Sequence, residues 1–267
     1  MNVYLRELRA NLRGLLVWGI VLVFFVAVGT YKFTGMQGTA GDQAMQLLES
    51  FPRPVLAMFG LAATNAMEFG GFFAMIEFYA VIIVAAWALL LGVTSVSRET
   101  ADGTGEFLYT RPVPRTSLLA EKLGAALTLL VVMALANAAS AAGACMALGS
   151  DVTGPDTSGA IVAGTVWVAL VGLFFLALGA ALAAALPIGS LASQTGLTLL
   201  ALAYVASVAL DLFGDKAAWI RALSPIRYLG MDDVAAGVVT TEGATALVTF
   251  SAVLLALAFR AFSRRDL

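Results

Sequence analysis

The 267 residues are 61% hydrophobic and only 12% charged, with a mean hydropathy of +0.93, a balance that excludes an ordinary water-soluble core and indicates an integral membrane protein. A formal charge of −2 with no basic run longer than a pair argues against nucleic acid as a partner, because phosphate binding needs clustered Lys and Arg. Histidine is absent and Cys145 is the one cysteine, which removes His-based acid–base chemistry, Ser-His-Asp triads, intrachain disulfides and the common metal clusters.

Residues 2–13 read as an amphipathic helix, with Leu5, Leu8 and Leu12 on one face and Arg6, Arg9 and Arg13 on another. Such a helix is expected to lie along the membrane interface, its arginines toward lipid phosphates or a partner. A helical crossing needs about 20 mostly apolar residues. The first predicted crossing is 12–31; a cleaved signal peptide is its competitor, but removing it would leave five crossings. Residues 32–71, with Pro52 and Pro54, stay below spanning length and predict interfacial or re-entrant helices on the outer side. The second crossing, 72–96, contains one acid, Glu77. Two readings of it stand: it lines an outer vestibule or holds a gate, or it snorkels to the outer interface.

The third crossing is 118–148, and Cys145 within it reads as a small buried hydrophobe. Between Asp156 and Asp211 lie 54 residues without a charge, about 80 Å if helical, against a hydrocarbon core of about 30 Å. That run must fold back once, and Pro187, Gly189 and Ser190 mark the turn, giving crossings at 159–186 and 190–211. Small residues such as Ala177, Gly179 and Ala180 allow close helix approach. Gln194, with Ser193, Thr195 and Thr198, forms a polar stripe that either hydrogen-bonds a neighbouring helix or lines an entrance. Asp211 reads as an interface residue. Residues 212–242 predict a second outer interfacial piece, broken at Pro225, and the sixth crossing is 243–262. The chain is expected to form a single all-α transmembrane domain. Six crossings put both termini and the 97–117 loop on one side with ten basic residues, against five on the other, so that side is predicted to be cytoplasmic.

That loop is the densest polar island in the chain: Ser97 to Lys122 hold eight charged residues, while Phe78 to Ser97 hold none. Gly103 and Gly105 permit a sharp turn, Thr104 caps a short helix with Glu106 in its first turn, and Pro112 and Pro114 end it. Thr116 or Ser117 is then expected to cap the third crossing. From the residues alone, a solvated loop and a docking element with Phe107, Leu108 and Tyr109 as its apolar centre remain in competition. A catalytic loop is disfavoured, since Glu99, Asp102 and Glu106 have neither metal-ligand company nor a nucleophile.

The pattern Glu99-x-x-x-Gly103-Thr104-x-Glu106-x-Leu108, followed by Arg111-Pro112-Val113-x-Arg115 and Lys122, resembles the segment between the second and third crossings of ABC-2 type permeases, of the bacitracin-resistance-like and sodium-export-like kind. Phe51-Pro52 to Phe59-Gly60 and Ser224-Pro225-Ile226-Arg227-Tyr228-Leu229 also look like that family. Tyr109-Thr110 and Pro114 depart from it. The resemblance implies a non-catalytic permease subunit of an exporter in the plasma membrane. It also implies a coupling helix at 97–117, with Glu99, Gly103, Thr104, Glu106, Phe107, Leu108, Tyr109, Arg111, Pro112 and Arg115 meeting a separate ATPase. By the same resemblance two permeases, identical or homologous, work with two ATPases, which bind the ATP and Mg, and no cofactor belongs to this chain. In agreement, no G-x-x-x-x-G-K-[ST] phosphate loop occurs. Glu77 and Gln194 are the candidate pathway residues. The alternative is a stand-alone secondary transporter using Glu77 and Asp211 as ion-coupling acids, which would carry an internal inverted repeat that the sequence does not display.

Overall fold

The computed structural model describes residues 3–36, 43, 46, 47, 50–58, 60, 61, 65–101, 114–154, 157–186, 188–213, 220, 221 and 223–264. Among these, six helices are long and apolar enough to cross a membrane: α1 (Val3–Tyr31), α3 (Phe69–Ala101), α4 (Arg115–Leu148), α6 (Ser158–Ala185), α7 (Gly189–Phe213) and α9 (Thr241–Arg264). Three short ones lie between them: α2 (Arg53–Met58), α5 (Ser150–Thr153) and α8 (Met231–Ala235). No strand occurs among the described residues, so the expected all-α membrane fold with six spanning helices is the one adopted.

The bundle is built on the pair α3 and α6, which share the most extensive helix contact. Its closeness comes from glycine: a Cβ on Gly92 would overlap the Leu176 carbonyl oxygen, and one on Gly179 would overlap that of Leu89. With no water for apolar side chains to escape, helices in a bilayer associate through such close packing, which small residues permit. Around the pair, α1 lies against α4 and α3, α7 against α3 and α6, and α9 against α6 and α4. Phe73, Phe78, Trp167 and Phe175 are fully buried at the centre.

Two local expectations change, and one short element is added. The N-terminal amphipathic stretch and the first crossing are one helix, not two set at an angle, because Gly14 costs only about 1 kcal/mol in a helix interior and nothing else interrupts the run. The start of α4 is capped at Pro114, whose backbone is extended (φ −57°, ψ 133°) and whose ring makes no capping hydrogen bond; Thr116 and Ser117 already lie inside the helix. Proline has no amide hydrogen to leave unpaired, and its carbonyl accepts from Ser117 N at 3.0 Å. Finally, α5 is a single extra turn set between Gly149 and Gly154, both at positive φ where other residues are strained. Pro187 lies outside the described residues, but α6 ends at Ala185 and α7 begins at Gly189, so the chain reverses there.

The segments outside the crossings are fastened onto the helices at the end opposite the polar loop. Trp167 Nε1 donates to Ile226 O at 2.9 Å, Ser224 Oγ to Ala203 O at 2.9 Å, and Tyr204 Oη to Met58 O at 2.7 Å. Phe33 packs edge-on against Phe69 with ring centres 5.4 Å apart.

Candidate functional site: the root of the polar loop and the buried charges

Gly103, Thr104, Glu106, Phe107, Leu108, Tyr109, Arg111 and Pro112 lie outside the described residues. Glu99 falls in the last turn of α3, and Arg115 opens α4. The structure does describe what stands directly beneath the loop. Helix α1 turns Tyr4, Glu7 and Asn11 toward the bundle, three residues sharing one face at spacings of three and four. Glu7 is 2% exposed, and its two carboxylate oxygens accept from Arg6 Nη2 and Arg98 Nη1, each at 3.1 Å. The other terminal nitrogen of Arg98 donates to Asn11 Oδ1 at 2.7 Å, and Asn11 Nδ2 donates to Glu7 O at 2.9 Å. A planar guanidinium is thus gripped at two points by residues one helical turn apart, a geometry a lysine ammonium does not offer.

The partner helix is tied to α1 as well. Tyr4 N donates to Glu121 Oε2 at 3.3 Å, and the hydroxyls of Tyr4 and Thr128 lie 2.9 Å apart. Lys122 is 2% exposed, with its Nζ donating to Ser95 O at 3.1 Å, which joins the start of α4 to the end of α3. The N-terminal turns of α1 therefore clasp both helices from which the polar loop emerges. Periodicity pointed to the leucines and arginines of this segment, yet Leu5 and Leu12 face outward and the acid faces in. The available signal was the lone acid Glu7 in a basic segment, four residues before an asparagine.

Two further polar clusters sit within the bundle. Glu77, the candidate in α3, is completely buried and accepts from Asn137 Nδ2 of α4 at 2.9 and 3.2 Å. It fits against α6 because residue 164 is glycine: a Cβ there would come 2.8 Å from Glu77 Cγ. Its carboxyl is thus enclosed by α3, α4 and α6 of this chain. Among the described residues, Asn137 Oδ1 is buried without a hydrogen-bond donor. Asn137 was not singled out from sequence, although an asparagine in an apolar crossing is itself a signal. Gln194 is exposed on α7, near the end that carries the polar loop, so the structure does not bring it together with Glu77.

The second cluster pairs Asp211 at the end of α7 with Arg227, both about nine-tenths buried. Arg227 Nε also donates to Ser207 Oγ at 2.7 Å, and its guanidinium lies 5.6 Å from the Phe78 ring centre. Burial pushes the Arg227 guanidinium below its usual range and the Asp211 carboxylate pulls it back. Asp211 is thus more than an interface residue: it holds the segment after α7 against α3. That occupation also weakens the reading of Asp211 as an ion-coupling acid.

A search of curated proteins finds no match. A sequence profile described as ABC-2 family transporter protein matches residues 1–267. Members are membrane transport components, and membership implies an ABC ATPase as partner. With its six apolar helices, this multi-pass membrane protein belongs to the ABC-2 family of transporter proteins and is an ABC transporter permease.

Proposed function

We propose that this permease works in export, with both termini and the 97–117 loop in the cytosol at the plasma membrane, and that the loop seats in a groove of a separate ATPase. In this reading two permease copies, identical or homologous, enclose the pathway, and two ATPases bind the ATP and Mg. The observation that supports coupling at this loop is the Glu7–Arg98–Asn11 cluster. It fastens α1 to the last turns of α3, so a push on the loop is delivered to two spanning helices rather than dissipated at a swivel. Phe107, Leu108 and Tyr109 are the proposed apolar centre of the contact, and Glu99, Glu106, Arg111 and Arg115 its charged rim. Gly103, Thr104 and Pro112 set its start and stop. Gln194 and Glu77 are proposed to act on the pathway from opposite ends, Gln194 at the entrance and Glu77 as an interhelical tie that sets the spacing of α3, α4 and α6.

The test replaces Phe107, Leu108 and Tyr109 together with serine or, separately, changes Glu106→Arg. Insertion of the permease is expected to persist while co-purification with the ATPase, or coupling of hydrolysis to cargo, is lost. Wild-type co-purification and wild-type stimulated hydrolysis in both variants would overturn the assignment.

A further inference from the structure

A groove of about 440 Å³ runs between α6 and α9 at the end of the bundle that carries the polar loop. Leu178 and Leu182 of α6 and Leu254 and Leu257 of α9 line it, and Arg260 and Arg264 stand at its mouth. Its charge is lopsided: the wall is aliphatic along its length, and the two arginines, one helical turn apart, project on the same side of α9. Both are exposed, and among the described residues neither has an acidic partner. Length is the second observation. Leu254 to Arg264 advances about 15 Å along the helix, half of a hydrocarbon core of about 30 Å. The groove is about as long as one leaflet is deep, which would set its cations at headgroup level. A larger groove of about 520 Å³ between α1 and α4 is lined by uncharged residues only and so selects no headgroup.

We propose that the α6/α9 groove is a binding site for one anionic phospholipid. An acyl chain lies along Leu178, Leu182, Leu254 and Leu257, and the phosphate is held by the guanidiniums of Arg260 and Arg264. Planar guanidiniums suit phosphate oxygens, and the uncharged wall gives the chain contacts that bulk lipid supplies only transiently. The site does not depend on the ATPase or on the direction of transport.

The test is native mass spectrometry of the purified chain, titrated with phosphatidylglycerol or phosphatidylcholine of matched acyl chains, and with glycerol 3-phosphate as a probe for the headgroup alone. Phosphatidylglycerol is expected to be retained at least tenfold more tightly than phosphatidylcholine. Arg260→Gln/Arg264→Gln should weaken it about twenty-five-fold, each arginine contributing about fivefold at a charged surface, while Arg260→Lys/Arg264→Lys, which keeps the charge and loses the planar fork, should fall between that pair and the unaltered chain. Ala181→Trp, which fills the groove and leaves both arginines, should also release the lipid. Equal retention of the two lipids, or no change in the Gln pair, would overturn the proposal. So would full affinity in the Trp variant or displacement by glycerol 3-phosphate, since both outcomes describe a headgroup contact without an occupied groove.

Discussion

Removing Glu7 is the sharpest test of how the N-terminal turns are held. Glu7 is 2% exposed, whereas Arg98 and Arg6 are 28% and 33% exposed, so the three side chains are not equivalent in energy. A hydrogen bond to a charged group contributes about 1.5–3 kcal/mol when shielded, and an exposed pair about 0.2–1 kcal/mol. With one buried and one part-exposed partner, the Glu7–Arg98 contact falls between these ranges, at about 1–1.5 kcal/mol. Glu7→Ala should cost about 2 kcal/mol, because both contacts and the packed carboxylate go while the two arginines can turn to water. Arg98→Ala should cost less, since Glu7 keeps Arg6. The assay is a double-mutant cycle on Glu7→Ala and Arg98→Ala, followed by reversible denaturation in mixed micelles, with hydrogen exchange of residues 3–13 as a local readout. A coupling energy below about 0.3 kcal/mol, with unchanged exchange in Glu7→Ala, would refute the clasp.

Glu77→Gln should cost under about 1 kcal/mol, since an amide can still pair with Asn137, whereas Glu77→Ala should cost about 2–3 kcal/mol by leaving a cavity and an unpaired Asn137; equal melting losses in the two would remove the hydrogen bond from the explanation. Asp211→Ala leaves Arg227 buried without its anion and should cost about 3 kcal/mol, and Asp211→Ala/Arg227→Met should recover much of it. A double variant no more stable than Asp211→Ala would show that the pair does not act as a unit.

The spanning helices were legible because the bilayer imposes a length, and hydropathy over that length is a strong signal. The reversal near Pro187 followed from the same arithmetic, as a charge-free run too long for one crossing. What periodicity supplies is a face, not a partner. It grouped Leu5, Leu8 and Leu12 without telling whether lipid or protein covers them; the bundle took Leu8 together with Glu7 and Asn11, and left Leu5 and Leu12 outside. The Asp211–Arg227 pairing was likewise hidden, because 16 residues and a helix end separate the two. Glu77 was marked by its cost in an apolar crossing, but its depth and its partner depend on how α4 and α6 pack around it. The glycine at 164 that admits its carboxyl reads, in one dimension, like any other small residue.

Helix α3 runs unbroken for 33 residues, about 50 Å, which exceeds the hydrocarbon thickness by some 20 Å. Along it sit, in order, the aromatic contact at Phe69, the Glu77 tie, the Phe78 ring under Arg227, the glycine seat at Gly92 and the Arg98 grip on α1. A rod of that length rocking by about 5° on the Gly92–Gly179 seat would carry its loop end about 1 Å and its Phe69 end about 3 Å, in opposite senses. Gly92 and Gly179 give it a bearing surface in which backbone meets backbone. A small displacement beneath the polar loop would then be felt, enlarged and reversed in direction, at Phe69 at the opposite end of the helix.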